Sequence, residues 1–322
     1  MFFIQFVLII FTISWLITAI VRKYALIHLL DKPNQRSSHH IPTPRGGGLA
    51  VVLSFSAAMA FLLVFVNGIN QVLLVSVFSG LCIALIGFWD DHKPLSARWR
   101  FLVHIGGAAL TVSVMSGLVW FEYFIAGFFL VWMLNLFNFM DGIDGLAGSE
   151  TVFMSFALAG FLAVSQNNLA LVALALAASS LGFLLWNWSP AKIFMGDVGS
   201  GFIGFMLGVF ILVFGHQQPS LFYVGLILFA VFMTDATYTL LVRLFSGQQW
   251  HQAHCCHAYQ QAAKQYGHLA VVQTVWVINL LWLLPLAIIA FLFTETALFI
   301  LFLAYLPLVY LGVYFKAGQQ LS

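Results

Sequence analysis

Residues 2–23 read FFIQFVLIIFTISWLITAIVRK. Residues 2–21 carry no charged side chain, and Arg22 and Lys23 then end the run. Twenty helical residues rise about 30 Å, the thickness of a bilayer's hydrocarbon core. No basic residue precedes the run and no small-residue cleavage site follows it. The segment therefore reads as a permanent helix rather than a cleaved signal.

The rest of the chain is built the same way. Of its 322 residues, 62% are apolar and 7% charged, whereas a soluble domain carries about 25% charged residues. One globular core cannot hide that much apolar surface, so the solvent is the lipid bilayer. Eleven spans are expected, near 2–21, 47–66, 71–89, 101–117, 118–134, 150–166, 169–187, 201–216, 220–241, 270–293 and 297–315. The fold class is all-α: a polytopic membrane helical bundle forming a single domain over 1–322, with no soluble domain, long linker or clear internal repeat.

Alternating spans sort the connections into two sets. All twelve Lys and Arg residues fall in one set, comprising 22–46, 90–100, 135–149, 188–200, 242–269 and the tail after 315. The positive-inside rule makes that face cytoplasmic, which puts the N-terminus in the periplasm and the C-terminus in the cytoplasm. Seven of the ten carboxylates and nine of the ten histidines gather on or near the same face. Chemistry is expected there. The net charge of +2 carries no nucleic-acid signature. The three cysteines, Cys82, Cys255 and Cys256, form no disulfide framework.

Five segments concentrate the polar groups. In GFWDDHKP (87–94), Asp90 and Asp91 close a span. Adjacent carboxylates repel, so a cation is expected close by, either Lys93 or Mg²⁺; the plainer reading is a charged helix end in the headgroups. In NLFNFMDGIDG (135–145), Asn135, Asn138, Asp141 and Asp144 recur every three residues. On a helix such neighbours share a face, and all four offer oxygen ligands of the kind Mg²⁺ prefers. The plainer reading is a capped helix end. In PAKIFMGDVGSGFIG (190–204), Asp197 stands in a glycine-rich turn entering a span, suited to an anion-binding nest or to a simple N-cap. In HQAHCCHAYQ (251–260), His254 and His257 flank Cys255 and Cys256. Zinc is one reading, but no second Cys/His pair completes a standard site, and N–H donors for a diphosphate fit better. DKPNQRSSHHIPTPRGGGLA (31–50) is an extended cationic segment that could lie over an anionic ligand, with Arg45 at its end.

Together GFWDDHKP, NFMDGIDGLAG, KIFMGDVGSGFIG and PTPRGGG resemble the polyprenyl-phosphate N-acetylhexosamine-1-phosphate transferases, glycosyltransferase family 4. The resemblance runs from about residue 31 to about residue 270, in the family's order. It implies transfer of a sugar-1-phosphate from a UDP-N-acetylhexosamine to undecaprenyl phosphate, with release of UMP, at the cytoplasmic face of the bacterial inner membrane. It implies Mg²⁺, with Mn²⁺ as a substitute, and a homodimer as a further expectation. By the same resemblance Asp197 is a Mg²⁺ ligand, with Asp141 a second. Asp90 or Asp91 takes or orders the lipid phosphate's proton, with Lys93 nearby. Asp141 and Asp144 line the nucleotide–metal site, helped by Asn135 and Asn138. Arg45, His254 and His257 contact the anionic substrates.

The segment HCCHAYQ is most similar to the O-antigen-initiating transferases, whose pattern there reads HRSHAYQ; cysteines replace its Arg and Ser. That subgroup implies a place at the start of lipid-linked lipopolysaccharide synthesis. The alternatives are N-acetylglucosamine-1-phosphate transfer for another envelope glycan or a peptidoglycan precursor, and, in a different class, a secondary transporter. Transporter sites lie near the midplane between repeats, and here the polar groups crowd one end.

Overall fold

A computed structural model describes residues 2–31, 33, 41–66, 69–248 and 254–319. Lys32, Arg36, His39, His40 and His251 lie outside the described residues.

Fourteen α-helices follow one another among the described residues. They are α1 (Phe2–His28), α2 (Gly48–Phe65), α3 (Gln71–His92), α4 (Ala97–Ser113), α5 (Trp120–Met140), α6 (Leu146–Val164), α7 (Ala170–Asn187), α8 (Asp197–Gln217), α9 (Pro219–Leu228), α10 (Ala230–Phe245), α11 (Ala258–Tyr266), α12 (His268–Ile278), α13 (Leu284–Leu292) and α14 (Ala297–Tyr314). A π-helical turn, Asn279–Leu283, joins α12 to α13 as one run. Between α1 and α2 a two-residue strand β1 (Leu30–Asp31) pairs antiparallel with β2 (Thr43–Pro44), in keeping with an extended segment there.

Among the described residues nine helical runs are long and apolar enough to cross a membrane, and the pair α9–α10 makes a tenth if counted as one span. The remaining expected span, 101–117, corresponds to α4, which begins at Ala97 and has only 17 residues. Two other expectations are corrected. The span expected at 220–241 is broken at Phe229, where α9 and α10 meet at 66°. The short span expected at 201–216 is a full helix of 21 residues from Asp197, because Gly199 and Gly201 stay helical where two helices approach closely.

Helix α8 is the axis of the bundle. Its apolar window is 89% buried, against 28% for α1 and for the run ending in α14. It packs against α2, α3, α5 and α9. A Cβ on Gly48 of α2 would collide with the Gly199 Cα of α8, so that crossing needs glycine on both sides. The peripheral helices turn large apolar side chains outward, as Ile4, Phe124 and Phe299 do. That is what lipid-facing surfaces require.

Candidate active site

The end of α3 meets the start of α8. Asp91 is buried, and its carboxylate caps α8: Oδ1 accepts the Asp197 N–H and Oδ2 the Val198 N–H, each at 3.2 Å. Such a cap satisfies amides that the helix itself leaves free and sets negative charge at the positive end of its dipole. The turn before it needs Gly196, with φ +75°, because a Cβ there would stand 2.6 Å from Asp91 Oδ2. Arg45 closes the other side, donating from Nη2 to the Asp91 carbonyl at 2.7 Å, with Nε 3.6 Å from Oδ1. The Pro44–Gly48 segment is held in place by three backbone bonds of 2.8 Å: Phe194 N–H to Pro44 O, Gly47 N–H to Phe194 O and Gly48 N–H to Met195 O.

Asp90 points elsewhere. Its Oδ2 accepts from Arg100 Nη1 at 2.9 Å, and the same nitrogen donates to Asp197 Oδ2 at 2.7 Å. Arg100, from the first turn of α4, thus bridges two carboxylates 107 positions apart in the chain. Lys93, expected to serve this pair, is exposed and makes no ion pair among the described residues. It ends α3 through its backbone N–H on Trp89 O.

Asn135, Asn138, Asp141 and Asp144 do not share one helical face, because α5 ends at Met140. Asn135 donates to Val131 O, one turn back in its own helix. Asn138 accepts from the Ser200 hydroxyl at 2.7 Å and ties α5 to α8. Asp141 caps the end of α5. Burial, and then the neighbouring charges of Asp197 and Asp91, hold its carboxyl well above the usual carboxylate range. Asp144 lies in the following turn and acts as a latch. Its Oδ2 accepts the Ala191 N–H at 3.1 Å and stands 3.4 Å from His268 Nδ1. Burial raises its pKa, but the His268 and Ala191 bonds outweigh that and bring it below the usual value.

Four carboxylates from three separate segments therefore gather around Arg45 and Arg100. Among the described residues Asp141 has no ion-pair partner, and its carboxyl is opposed only by like charges. A hard divalent cation suits this oxygen-only set. Among the described residues no three Asp, Glu, His or Cys side chains form a ready-made cage. Mg²⁺ in general needs only one or two carboxylates, with water and substrate phosphate completing its shell.

The histidine loop reaches this cluster through α11. Asp235 of α10 accepts the Ala258 N–H at 2.9 Å and the Tyr259 N–H at 2.8 Å, so a side chain from another helix caps α11. His257 is buried, with Nδ1 3.3 Å from Asp235 Oδ1. Tyr259 donates its hydroxyl to Phe139 O at 2.9 Å and lies against Gly142, which docks α11 beside the Asp141 turn. His254 stacks on His257 with centroids 4.9 Å apart. Burial, and then the charges of His257 and Arg243, bring the His254 pKa down to about 4. The ring is thereby held neutral at neutral pH. Cys256 Sγ stands 3.3 Å from His254 Nδ1 and 3.5 Å from Arg243 Nη1. Burial pushes its thiol pKa up. The zinc reading of this loop finds no cage of three ligands among the described residues.

Arg100, Tyr259 and His268 were not singled out as site residues by the sequence. The available signal was chemical: a carboxylate cluster needs cations, and Arg100 follows it by ten residues. Asp235 was visible as an acid inside an apolar span, although its partner was not.

Fold and site together define a polytopic all-α membrane protein with an acidic centre at one end of its bundle. The profile described as glycosyl transferase family 4 matches residues 72–215. A probable undecaprenyl-phosphate N-acetylglucosaminyl 1-phosphate transferase of Bacillus subtilis is 31% identical over 252 residues, 72% of this chain and 69% of the relative. The phospho-N-acetylmuramoyl-pentapeptide-transferase of Limosilactobacillus fermentum is 32% identical over 205 residues, covering 58% of this chain and 64% of the relative. That of Streptococcus pneumoniae strain CGSP14 is 33% identical over 213 residues, 58% and 63% respectively. The match thus spans somewhat less than two thirds of these last two relatives. The chain belongs to glycosyl transferase family 4, the polyprenyl-phosphate hexosamine-1-phosphate transferases.

Proposed function

We propose that the protein transfers an N-acetylhexosamine-1-phosphate from its UDP-sugar to undecaprenyl phosphate at the cytoplasmic face of the inner membrane. The observation that carries this reading is the cluster at one end of a lipid-facing bundle in which Arg45 pairs with Asp91, Arg100 bridges Asp90 and Asp197, and Asp141 stands beside Asp91 and Asp197. One substrate is water-soluble and the other is a lipid, so an interfacial site suits both. A lipid phosphate oxygen attacks the sugar-bearing phosphorus of the UDP-sugar. The diphosphate bridge breaks, and UMP leaves with the bridging oxygen.

Asp197 and Asp141 would hold Mg²⁺, which when bound neutralises phosphate charge. Asp91, with both oxygens on α8 amides, would position Asp197 rather than take a proton. Asp90 is the member of the pair that would accept one from the lipid phosphate. Arg100 holds Asp90 and Asp197 together, and Arg45 adds positive charge at the site's edge. His254, as a neutral ring, offers hydrogen bonds to the diphosphate or sugar.

The HAYQ segment favours initiation of O-antigen synthesis. A second reading, N-acetylglucosamine-1-phosphate transfer for another envelope glycan, is favoured by the similarity to the Bacillus subtilis relative. The test is mass spectrometry of the lipid product after the purified protein receives undecaprenyl phosphate, Mg²⁺ and a panel of UDP-sugars. A polyprenyl diphosphate sugar with UMP release is expected. No lipid product with any UDP-N-acetylhexosamine would refute the reading.

A further inference from the structure

Helices α10, α11, α12 and α14 border a half-open slot of about 410 Å³, within the ~300–1,000 Å³ range of small-ligand sites. Its walls are apolar: Val231 of α10, Val271 and Val275 of α12, and Leu308 and Leu311 of α14. Thr234, Asp235, Tyr259, Tyr266 and Thr274 add polar groups to that wall. Thr234 is 5% exposed, lines the slot, and its hydroxyl finds no partner among the described residues. Asp235 also lines the slot, but its oxygens receive the first amides of α11.

A second space opens beside the first, and Phe315 lines both. It is bordered by Lys264, Gln265, Tyr314 and Lys316, and no Asp or Glu lines it. Neither lysine makes an ion pair among the described residues. Lys316 ends the last helix at φ +51°, a conformation that an unbranched L-residue adopts only at some cost. The result is an apolar slot under a cationic mouth, the pattern that recognises a lipid with a negative headgroup.

The acidic centre lies beyond Tyr259. That side chain lines the slot, yet its hydroxyl bonds to Phe139 O beside the Asp141 turn. Neither Lys264 nor Lys316 contacts any of the four clustered carboxylates. A phosphate held at the mouth is therefore not placed for transfer.

We propose that this slot holds one glycerophospholipid of the surrounding bilayer with a net-negative headgroup. Its phosphate pairs with Lys264 and Lys316. An acyl chain fills the space between α10, α12 and α14. The lipid then braces α11 from the side opposite the acidic centre.

The test is native mass spectrometry of the full-length protein, purified in a non-ionic detergent, stripped of lipid and offered phosphatidylglycerol or phosphatidylethanolamine of equal chain length. One phosphatidylglycerol per chain is expected, in clear preference to phosphatidylethanolamine. The exposed double variant Lys264→Gln, Lys316→Gln should retain phosphatidylglycerol about thirtyfold more weakly. Because binding is read by mass, the result stands apart from the transferase assay. Equal retention of the two lipids, or unchanged retention by the double variant, would overturn the proposal. So would displacement of phosphatidylglycerol, one for one, by undecaprenyl phosphate, which would make the slot a substrate site.

Discussion

Asp91 and Asp197 are joined by a hydrogen bond, and their substitution should fail in different ways. Asp197→Asn keeps the backbone N–H groups that Asp91 caps, so the protein should fold with an unchanged Tm. The carboxylate offered to metal is lost, and the rate should fall by several kcal/mol in barrier, a hundredfold or more at roughly 1.4 kcal/mol per tenfold. Asp91→Asn replaces one acceptor oxygen with an NH₂ facing an N–H. Losing that cap should cost about 0.5–2 kcal/mol of stability and lower the Tm in detergent. Thermal unfolding and initial rates on both variants separate the two roles; an Asp197→Asn enzyme with wild-type turnover at saturating Mg²⁺ would remove Asp197 from the chemistry. Asp90, Asp91, Asp141 and Asp197 were legible in the sequence because acids are scarce in so apolar a chain and stand in short motifs. Arg100, Tyr259 and His268 were not. Asp197, Phe139 and Asp144, which they meet, lie 97, 120 and 124 positions away, and no spacing rule encodes a contact across several spans; of their contacts named above, Arg100–Asp90 alone is near in sequence, ten positions apart.

At the scale of elements, α11 and its leading loop stand out, since α11 is capped by another helix's side chain. Cysteines stand where the O-antigen-initiating pattern that this motif resembles reads Arg and Ser. Neutral thiols cannot supply an arginine's charge or its fork of donors, but Arg243 already stands against Cys256. Cys255→Arg with Cys256→Ser should therefore keep activity and lower the apparent KM for the UDP-sugar. His254→Ala should lose far more than Cys255→Ala. Initial rates against UDP-sugar concentration decide this, and cysteine variants as inactive as the histidine variant would contradict it. The loop also carries a pH signature. His254 has a folded pKa near 4 against an ordinary 6.5, so the unfolded chain takes up the proton first. Its share of stability is complete above pH 6.5 and is lost as pH falls toward 4. A Tm series over that window should slope less for His254→Gln than for the wild type. The motif marked this loop as polar and functional. It could not reveal that burial keeps the ring neutral, because that burial arises only when the loop packs beside His257 and Arg243 of α10.

For the whole molecule, the apolar runs foretold the bundle, since each is long enough to declare itself. What they could not foretell were helix ends such as Asp197, where polar residues continue a helix, and the break at Phe229, where composition does not change. Sidedness rests on charge alone and has a direct test. In a background with Cys82, Cys255 and Cys256 replaced by Ser, Gln265→Cys should resist an impermeant maleimide added to intact spheroplasts, while Asn168→Cys should react. Both positions are exposed, so a reversed pattern would invert the topology.

The 66° bend between α9 and α10 has a mechanical consequence. An oblique helix accommodates a thicker or thinner hydrocarbon layer by changing its tilt, at a cost of fractions of a kcal/mol per Å of mismatch. Asp235 rides on α10 and holds the first amides of α11, so a change of tilt is passed to the ring of His254 at the cluster's edge. The enzyme should act as a gauge of the membrane it serves. In proteoliposomes of graded acyl-chain length, its turnover should pass through a maximum and fall on either side.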